Sequence, residues 1–483
     1  MSDDSSSARI VSDLRRVIAT APPGAKLPST RALVAKYGAS PVTVQSALRT
    51  LQTQGMVESR PGVGTFVRSV RVAGPADYGW QTAALGSPDR RVPRLPTSLR
   101  TVPNDLIALH SGYPDRELLP ERLVRSAFGR AARSDAVVGR PPIAGIPELQ
   151  AWFASELGSA MPPGVGPSTP SDTIVVPGSQ SGLSAAFHAL VGAGNPLLVE
   201  SPTYWGAMVA AAQAGVQVVP VPSGAAGPDL GELARAFDRT GARVFYAQPN
   251  FANPTGAQWA PDLVTDVLRL VRDAGAFVVE DDWAHDFGIS AESVPLATRD
   301  DSGHVVYVRS LTKSVSPSVR IAGIVARGPA RDRILAEVQA QSMYVSGVLQ
   351  AVAVDVVTQP GWRTHLRGLR PQLAARRDLL AGALREHAPG LHLDAVPAGG
   401  LNLWGRLPEH TDTVALVRDC EAAGVVVTAG DEWFPAEPTG PHLRLNFSGP
   451  NPGAFPAAAK IIGAALDHQH PRRGAGSPSG VHR

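Results

Sequence analysis

The stretch 309-RSLTKSVSPSVR-320 decides how the larger part of the chain is interpreted, because it holds Lys313. The chain has 45 Lys and Arg residues, but only four of them are lysines: Lys26, Lys36, Lys313 and Lys460. A lysine amine can lose its proton and form a Schiff base with an aldehyde, whereas a guanidinium stays protonated. Lysine at this position therefore suggests an aldehyde ligand, of which pyridoxal phosphate (PLP) is the usual one. A lone surface lysine is the alternative.

PLP needs groups around its phosphate, and two parts of the sequence offer them. After the strand pattern TIVV, the turn 177-PGSQSGL-183 opens a helix, and the backbone N–H groups at a helix start bind phosphate. Side-chain candidates lie in this turn and around Lys313; they are Ser179, Gln180, Ser181, Ser310, Thr312 and Arg320.

PLP also needs an acid that faces its pyridine nitrogen, because a protonated nitrogen makes the ring an electron sink. Asp281 or Asp282, at the end of the strand pattern 276-AFVVE-280, fits this role, and a helix cap is the alternative for either residue. A donor to the ring oxygen is required as well, and Asn253 in 249-PNFANPTG-256 fits.

Two further residues would complete a site for an amino-acid ligand. Tyr204, in 200-ESPTYWG-206, is a candidate aromatic lid on the ring. Arg444, in 442-HLRLNFS-448, is a candidate for the ligand carboxylate, which an arginine holds with two parallel hydrogen bonds. A surface arginine is the alternative for Arg444, so the prediction depends on the whole set and its order.

From about residue 105 to residue 468, strand and helix patterns alternate. The seven candidate strands are 173-TIVV-176, 197-LLVE-200, 216-VQVVPV-221, 243-RVFYA-247, 276-AFVVE-280, 304-HVVYV-308 and 321-IAGIVA-326. This alternation predicts an α/β domain with a mostly parallel sheet. Cofactor groups gather at the strand ends and helix N-termini of such sheets.

Four motifs together resemble fold-type I aminotransferases over residues 105–468: NPTG, the EDD strand end, S-x-x-K with an arginine seven residues later, and RLNFS. The resemblance implies a large domain with a mostly parallel sheet and a small α+β domain. It also implies that Lys313 is the Schiff-base lysine, that Asp281 pairs with the pyridine nitrogen and that Asn253 pairs with the ring hydroxyl.

The same resemblance implies that Arg320 binds the phosphate, that Tyr204 stacks on the ring and that Arg444 holds the carboxylate of a substrate or effector. Two positions depart from the family pattern. Trp283 stands where the family often has a tyrosine that reaches the ring oxygen. Arg140 stands where aminotransferases often have a tyrosine that reaches the phosphate in the partner subunit. Both changes bear on turnover more than on cofactor binding.

The first 68 residues have a different pattern, which predicts helix, helix, tight turn, helix and hairpin. Ser29 is placed to cap one short helix and Gly38 to end it, and Ser40 to cap the next helix with Pro41 at its first position. The turn 61-PGVG-64 joins the alternating runs MVESR and TFVRS, which is a hairpin signal. This order is typical of a winged helix-turn-helix.

In such a fold the second capped helix enters the major groove of double-stranded DNA. Thr43, Gln45 and Arg49 are the candidates for bases or phosphates on this helix, while Arg31 and Arg60 are candidates for phosphates. The alternative is a winged helix that binds protein.

The stretch 27-LPSTRALVAKYGASPVTVQSALRTLQTQGMVESRPGVGTFV-67 resembles the DNA-binding domain of the GntR family. Its LPS-x-R opening and RPGVGTFV wing carry the family signature. The wing glycines Gly62 and Gly64, with Thr65, are counted among the DNA-binding residues by this resemblance.

Charge divides the chain in the same way. Residues 1–75 have ten Lys and Arg against four Asp and Glu, a balance of +6, and the remainder has a balance of −3. A basic head suggests a polyanionic partner. We predict four segments: the head at 1–68, a linker at 69–104, the PLP-binding domain at 105–468 and a disordered tail at 469–483.

The remaining bulk features favour a cytoplasmic protein. The single cysteine, Cys420, excludes an intrachain disulfide and fits a reducing compartment. The start MSDDSSSARI is not a signal peptide, no apolar run approaches the roughly 18–20 residues that cross a bilayer, and no metal site is predicted.

With its GntR-like head, linker and aminotransferase-like body, the chain resembles the MocR/GabR family of transcriptional regulators. The resemblance implies a PLP-dependent regulator that binds an operator and senses an amine, an amino acid or PLP through a Schiff base at Lys313. It also implies a homodimer in which each head is swapped over the partner's body. The alternatives are a working aminotransferase with a fused DNA-binding head, and a regulator that binds no cofactor.

Overall fold

The computed structural model describes residues 3–68, 79–85, 96–103 and 105–469. The chain divides into two compact units, Met1–Pro88 and Asp89–Arg483. No helix in the described residues is long and apolar enough to cross a membrane.

The first part of the amino-terminal unit, residues 3–67, has three helices and a hairpin, in the order predicted from the sequence. Its elements are α1 (Asp3–Thr20), α2 (Thr30–Tyr37), α3 (Pro41–Thr53), β1 (Val57–Arg60) and β2 (Gly64–Val67). The two strands are antiparallel, with Arg60 opposite Gly64 at the turn. This is a winged helix-turn-helix.

The predicted helix caps of this unit are confirmed. The Ser29 side chain accepts a hydrogen bond from the Ala32 N–H, and Gly38 ends α2 with φ 59°, in the left-handed region that favours glycine. The Ser40 side chain accepts from the Thr43 N–H at the start of α3. The apolar faces of α1, α2 and α3 bury a small core that includes Ile10, Leu14, Leu33, Val44, Ala47, Leu48 and Leu51.

The predicted linker, 69–104, lies partly outside the described residues, namely at 69–78, 86–95 and 104. Its described part contains α4 (Gly79–Leu85) and a 3-10 turn at Thr97–Leu99. The predicted tail lies outside the described residues except for residue 469. The segment boundaries stay predictions.

The carboxy-terminal unit alternates strands with helices. Up to the main sheet's last strand its elements are β3 (Ile107–Ala108), α5 (Glu121–Ala131), α6 (Pro147–Ser159), β4 (Thr173–Val176), α7 (Ser179–Leu190), β5 (Pro196–Ser201), α8 (Trp205–Ala214), β6 (Gln217–Gly224), β7 (Gly227–Pro228), α9 (Leu230–Thr240), β8 (Val244–Ala247), α10 (Pro261–Asp273), β9 (Phe277–Asp282), β10 (Val305–Ser310) and β11 (Ala322–Val325). The elements that follow are α11 (Gly328–Ser342), α12 (Gly347–Thr358), α13 (Pro360–His387), β12 (His392–Leu393), β13 (Asn402–Arg406), α14 (Thr413–Ala422), β14 (Val425–Val426), β15 (Thr428–Ala429), β16 (His442–Asn446) and α15 (Phe455–Gln469).

The main sheet has eight strands in the order β4-β11-β10-β9-β8-β5-β6-β7. The strands β10, β9, β8, β5 and β6 run parallel, while β11 is antiparallel to both of its neighbours. All seven strands predicted from the sequence are present. The mostly parallel α/β sheet is therefore confirmed.

Both faces of this sheet are buried, because helices cover each one and successive side chains of a strand point to opposite faces. In β8, Val244 and Tyr246 pack with α7 and α8, whereas Phe245 and Ala247 pack with α9 and α10. The same alternation places Asp281 and Asp282, at the end of β9, on opposite faces of the sheet. It is the feature of the fold that positions the site.

A second, smaller layer is built around a four-stranded sheet in the order β12-β13-β16-β15. Helices α13, α14 and α15 pack against this sheet with a core that includes Leu373, Leu384, Leu416, Leu445 and Ile462. The short strand β3 pairs in parallel with β14, so the chain that enters the unit is tied to this layer. The small α+β part is thereby confirmed.

Candidate functional site

The residues predicted to bind PLP gather at the carboxyl ends of the parallel strands. Lys313 lies in the turn after β10, Asp281 at the end of β9, Asn253 in the loop after β8 and Tyr204 after β5. Arg444 reaches the same place from β16 of the smaller layer. Ligands bind at this edge in open α/β sheets.

Lys313 is surrounded by aromatic rings. Its Nζ lies 4.8 Å from the centroid of the Trp283 ring and 5.9 Å from the centroids of the Tyr113 and Tyr204 rings. Burial lowers the pKa of Lys313 to about 8, Asp281 acts in the opposite direction, and Arg444 and Arg320 lower the pKa further. A substantial fraction of the amine is therefore neutral, and nucleophilic, near pH 8.

Asp281 is buried and uses only one of its two carboxylate oxygens. Oδ2 accepts hydrogen bonds from the Tyr246 hydroxyl and from Gln248 Nε2, both at 2.9 Å, whereas Oδ1 has no partner among the described residues. Burial raises the pKa of Asp281, while Gln248, Lys313 and Tyr246 act to lower it. The carboxylate is thus held by one oxygen and presents the other.

Asn253 and Arg444 form a second pair beside Lys313. Arg444 Nε donates to Asn253 Oδ1 at 3.0 Å, and Arg444 Nη1 donates to the carbonyls of His110 and Ser111 at 3.2 and 3.3 Å. These bonds leave Asn253 Nδ2 and Arg444 Nη2 for a ligand. Burial lowers the pKa of Arg444 to about 9, so an added carboxylate would relieve an unfavourable buried charge.

The predicted phosphate-binding residues surround the start of α7. Gly178 precedes this helix with φ 89°, and a Cβ added there would lie 2.9 Å from Arg320 Nη2. The Arg320 guanidinium therefore lies against the turn that carries Ser179 and Ser181. Gln180 Nε2 instead donates to the Gly206 carbonyl at 2.8 Å, and Gly206 leaves room for the Tyr204 ring beside Gln180.

The turn that holds Lys313 contributes further hydroxyl groups. Ser310 Oγ accepts from the Thr312 N–H at 3.2 Å, which fixes the start of the turn. The hydroxyls of Thr312 and Ser314 are buried and have no partner among the described residues. Buried polar groups are rarely left unpaired. Asp281 Oδ1 and the Thr312 hydroxyl are both groups predicted to bind PLP, and both lack a partner among the described residues, so the residues present fit this cofactor.

Trp283 and Arg140, the two positions that depart from the family pattern, lie in different environments. Trp283 Nε1 donates to the Phe251 carbonyl at 3.2 Å, so the indole has no donor left for a ring oxygen. Asn253 is then the side chain placed for that role. Arg140 lies exposed in the loop before α6 and does not enter the site of its own chain.

Sequence reasoning missed several residues of the site. Tyr246 and Gln248 bind Asp281, Tyr113 faces Lys313, and the Trp433 ring centroid lies 5.2 Å from the Arg444 guanidinium carbon. The position of Tyr246 could have been found, because it shares the sheet face of Asp281 on the neighbouring strand β8. Gln248 lies in a loop and Trp433 ends a 3-10 turn at Gly430–Trp433, and neither has a periodic pattern that assigns a direction to the side chain.

In the amino-terminal unit, Gln45 and Arg49 are exposed on α3, and Arg31 is exposed at the start of α2. Thr43 does not share their exposed face, contrary to the expectation from the sequence. Its side chain is only 5% exposed, and its hydroxyl lies 2.7 Å from Ser40 Oγ. Thr43 lies four residues before Ala47 and eight before Leu51, so it shares the buried face of α3.

The wing is stabilised by cations over an aromatic ring. Arg60 and Lys26 lie over the Phe66 ring, at 4.7 and 5.8 Å from its centroid. Gly62 and Gly64 adopt φ values of 73° and 137°, which favours glycine in this turn. Thr65 lies beside them on β2, with Oγ1 3.2 Å from Ser59 Oγ. Gly62 and Gly64 therefore set the shape of the wing, and Arg60 and Lys26 give its exposed edge a positive charge.

Comparison with known families agrees with both parts. The family model described as Aminotransferase class I and II matches residues 104–462. The model described as Bacterial regulatory proteins, gntR family, matches residues 6–67.

Similar proteins have the same arrangement. The probable rhizopine catabolism regulatory protein MocR of Rhizobium meliloti is 29% identical, over 88% of this chain and 86% of that protein. The uncharacterised HTH-type transcriptional regulator YdfD of Bacillus subtilis is 26% identical, over 88% of this chain and 89% of that protein.

A solved enzyme structure resembles the carboxy-terminal unit. It is LysN, the alpha-aminoadipate aminotransferase of Thermus thermophilus, complexed with N-(5'-phosphopyridoxyl)-L-leucine. The TM-score is 0.70 at 25% identity, with 76% of this chain and 94% of that chain covered.

Proposed function

The chain belongs to the aminotransferase class I and II family and carries a gntR-family head, and on that premise we propose that it is a PLP-dependent, DNA-binding transcriptional regulator. It senses an amine, an amino acid or PLP itself at Lys313 and acts in the cytoplasm. The observation that carries the proposal is the unpaired Oδ1 of Asp281 beside Lys313, in a chain that also has a winged helix-turn-helix.

When bound, PLP supplies an aldehyde carbon that reacts reversibly with primary amines. Lys313 Nζ is the attachment point, and its lowered pKa allows it to release and take up a proton near neutral pH. Asp281 Oδ1 would accept a hydrogen bond from the protonated ring nitrogen. Asn253 Nδ2 donates to the ring hydroxyl, because its Oδ1 already accepts from Arg444.

The remaining site residues bind the two ends of the ligand. Arg320, Ser179 and Ser181, with the N–H groups at the start of α7, bind the phosphate. Arg444 Nη2 binds the carboxylate of an amino-acid effector. Trp283 and Tyr204 cover the ring and keep water from the amine.

The head binds an operator through α3 and the wing. Gln45 and Arg49 read bases or contact phosphates in the major groove, and Arg31 and Arg60 contact phosphates. Gly62, Gly64 and Thr65 let the wing approach the DNA backbone. Thr43 is assigned no DNA contact, because it is buried.

We further propose a homodimer, with each head swapped over the partner's body. Exposed apolar side chains support this: Val137, Val138, Ile143, Met343 and Tyr344. Val137, Val138 and Ile143 lie close to Met343 and Tyr344, because Gly347 packs against the Ala136 carbonyl. Arg140 belongs to the same exposed loop, so in a dimer it could reach the partner's phosphate.

Absorption spectroscopy tests the cofactor part. Purified protein is mixed with PLP, reduced with borohydride and digested, and the labelled peptide is identified by mass spectrometry. We expect a visible band and label on Lys313, both lost in Lys313→Arg and kept in the matched control Lys460→Arg, which changes an exposed lysine. A colourless protein, or label on another lysine, contradicts the proposal.

DNA fragments selected by the protein from a random pool test the regulatory part. We expect fragments with two half-sites, and an amine from a broad panel should change their affinity for the wild type. Lys313→Arg should bind the same fragments without responding. A response that survives this substitution contradicts sensing at Lys313.

A second candidate is an active aminotransferase with a fused head. It is favoured by Arg444 and Asn253 lying beside Lys313, an arrangement that could hold an amino acid for proton transfer at Lys313 Nζ. Sustained turnover of an amino acid with a keto acid, at roughly 1 s⁻¹ or faster, would establish it. No turnover across a broad panel would eliminate it.

A further inference from the structure

Residues 96–103, here called the anchor segment, are hydrogen-bonded to Glu432, whose neighbour Trp433 lies beside Arg444. This segment is the first described part of the unit after residues 86–95, which lead from the head. The Thr97 N–H lies 3.0 and 3.3 Å from the two carboxylate oxygens of Glu432, and the Thr97 hydroxyl donates to Oε1 at 2.6 Å. Both donors of Thr97 are therefore bound to one carboxylate.

Glu432 is also linked to the effector arginine. Its neighbour Trp433 places its ring beside the Arg444 guanidinium, and β15, which leads into Glu432, pairs with β16 at Thr428 and Arg444. Arg444 donates only to neutral acceptors and forms no ion pair among the described residues. Glu432 is the carboxylate whose charge stabilises the Arg444 cation.

The coupling between these charges is reciprocal. Burial raises the pKa of Glu432, while the hydrogen bonds from Thr97 and the charge of Arg444 act to lower it. A ligand carboxylate on Arg444 would neutralise that cation and add a negative charge near Glu432. The added negative charge disfavours the ionised form of Glu432, and hydrogen bonds to a charged acceptor are stronger than those to a neutral one.

A second attachment of the anchor segment reaches Arg444 through a neutral group, the His110 carbonyl, rather than through a carboxylate. Arg100 forms a paired interaction with Glu421, with Nη1 and Nη2 at 3.1 and 2.6 Å from its two oxygens. The hydrogen bond from Arg100 lowers the pKa of Glu421, and the charges of Arg100 and His110 act in the same direction. The Arg100 carbonyl lies 3.0 Å from His110 Nε2. Glu421 thus offers a matched control for Glu432.

We propose that Glu432 couples the carboxylate of a ligand on Arg444 to the anchor segment, so that its binding loosens Thr97. The chain that leads to the head is thereby released at the body when the effector site fills. This inference rests on the proposed function, since it requires the cofactor site and the role of Arg444.

Hydrogen–deuterium exchange in the full-length protein tests the coupling. The probes are pyridoxamine 5'-phosphate, which has no carboxylate, and N-(5'-phosphopyridoxyl)-L-leucine, which adds one. Calorimetry first establishes that each probe binds. In the wild type, we expect exchange of the anchor segment to be several-fold faster with the leucine adduct than with pyridoxamine 5'-phosphate, because local opening is easier.

Two variants separate charge coupling from simple attachment. Glu432→Gln keeps an acceptor for Thr97 but has no charge, so the two probes should give equal exchange. Glu421→Gln should raise exchange with both probes and preserve the difference between them.

The exchange and binding results distinguish failure of the coupling from failure of the proposed function. Equal exchange in wild type with both probes bound, or a difference that persists in Glu432→Gln, overturns the coupling and leaves the proposed function intact. If neither probe binds, the proposed function fails and the coupling with it.

Discussion

Asp281 and Asp282 are adjacent and equally buried, yet they do different things. Asp281 lies on the sheet face of Tyr246 and Lys313, with one oxygen unpaired. Asp282 lies on the opposite face, where Oδ2 is bound by His285 and Tyr307 and Oδ1 by Ser293. The comparison teaches that burial alone does not mark a site acid. The unpaired oxygen does.

Their pKa values differ in the same sense. Burial raises the pKa of Asp281, and its hydrogen bonds do not overcome that effect. Burial also acts to raise the pKa of Asp282, but His285, Tyr307 and Arg309 outweigh it and the pKa is lowered. Asp282 is a satisfied structural anion, whereas Asp281 gains from a cationic partner such as a protonated ring nitrogen.

The largest expected effect comes from neutralising each acid in turn. Asp281→Asn should weaken PLP binding by about 10- to 100-fold, because a hydrogen bond to a charged group contributes ~1.5–3 kcal/mol. Asp282→Asn should keep the affinity but lower the free energy of unfolding by ~1–3 kcal/mol. Absorbance titration with PLP and urea unfolding measure the two quantities. Equal losses of affinity in both variants would remove the distinction.

The pH dependence of attachment is the next largest effect. Only the neutral amine of Lys313 attacks an aldehyde, so the rate of borohydride-trapped labelling by PLP should rise with pH and level off above about 8, the lowered pKa of this lysine. Asp281 acts to raise that pKa, so Asp281→Asn should move the rise to lower pH. Asp282→Asn should leave it in place. Mass spectrometry of timed samples measures the profile, and an unshifted Asp281→Asn profile contradicts the coupling.

A smaller effect should come from removing one hydroxyl beside each acid. Tyr246→Phe deletes a donor to Asp281, and Tyr307→Phe deletes the equivalent donor to Asp282. Both should lower the free energy of unfolding by about 1 kcal/mol. Only Tyr246→Phe should also weaken PLP binding, by roughly threefold to tenfold. Absorbance titration with PLP and urea unfolding measure the two effects. An equal change in PLP affinity in both variants would contradict the assignment of Asp281 as the site acid.

The smallest effect is expected at Ser293, whose hydroxyl donates to Asp282 Oδ1 at 3.1 Å from a partly exposed loop. Ser293→Ala should change the free energy of unfolding by no more than about 1 kcal/mol, because water can replace the lost donor. PLP affinity should be unchanged. A clear loss of affinity would show that Asp282 also supports the cofactor.

The sequence predicted much of this arrangement. Strand patterns located seven of the eight strands of the main sheet, and cap residues such as Ser29 and Gly38 located the helices of the head. These features depend on local chemistry, which a sequence carries directly. The residues alone left Asp281 and Asp282 as equal candidates, because choosing between them requires knowing which sheet face meets Lys313.

Other features required the folded chain. Thr43 was expected on the exposed face of α3 but turns inwards to Ser40. Gln248 was missed although it binds both Asp281 and the Asn253 N–H. Its role depends on the contact between the loop after β8 and the end of β9, and no spacing along the sequence encodes that contact.

The position of Trp283 has an optical consequence. Its buried ring lies 4.8 Å from Lys313 Nζ, and the hydrogen bond from its indole to Phe251 fixes its orientation. A chromophore attached to Lys313 would quench the emission of this tryptophan by energy transfer over contact distance. The protein therefore contains its own fluorescent reporter, which can follow occupancy of the site in real time without a label.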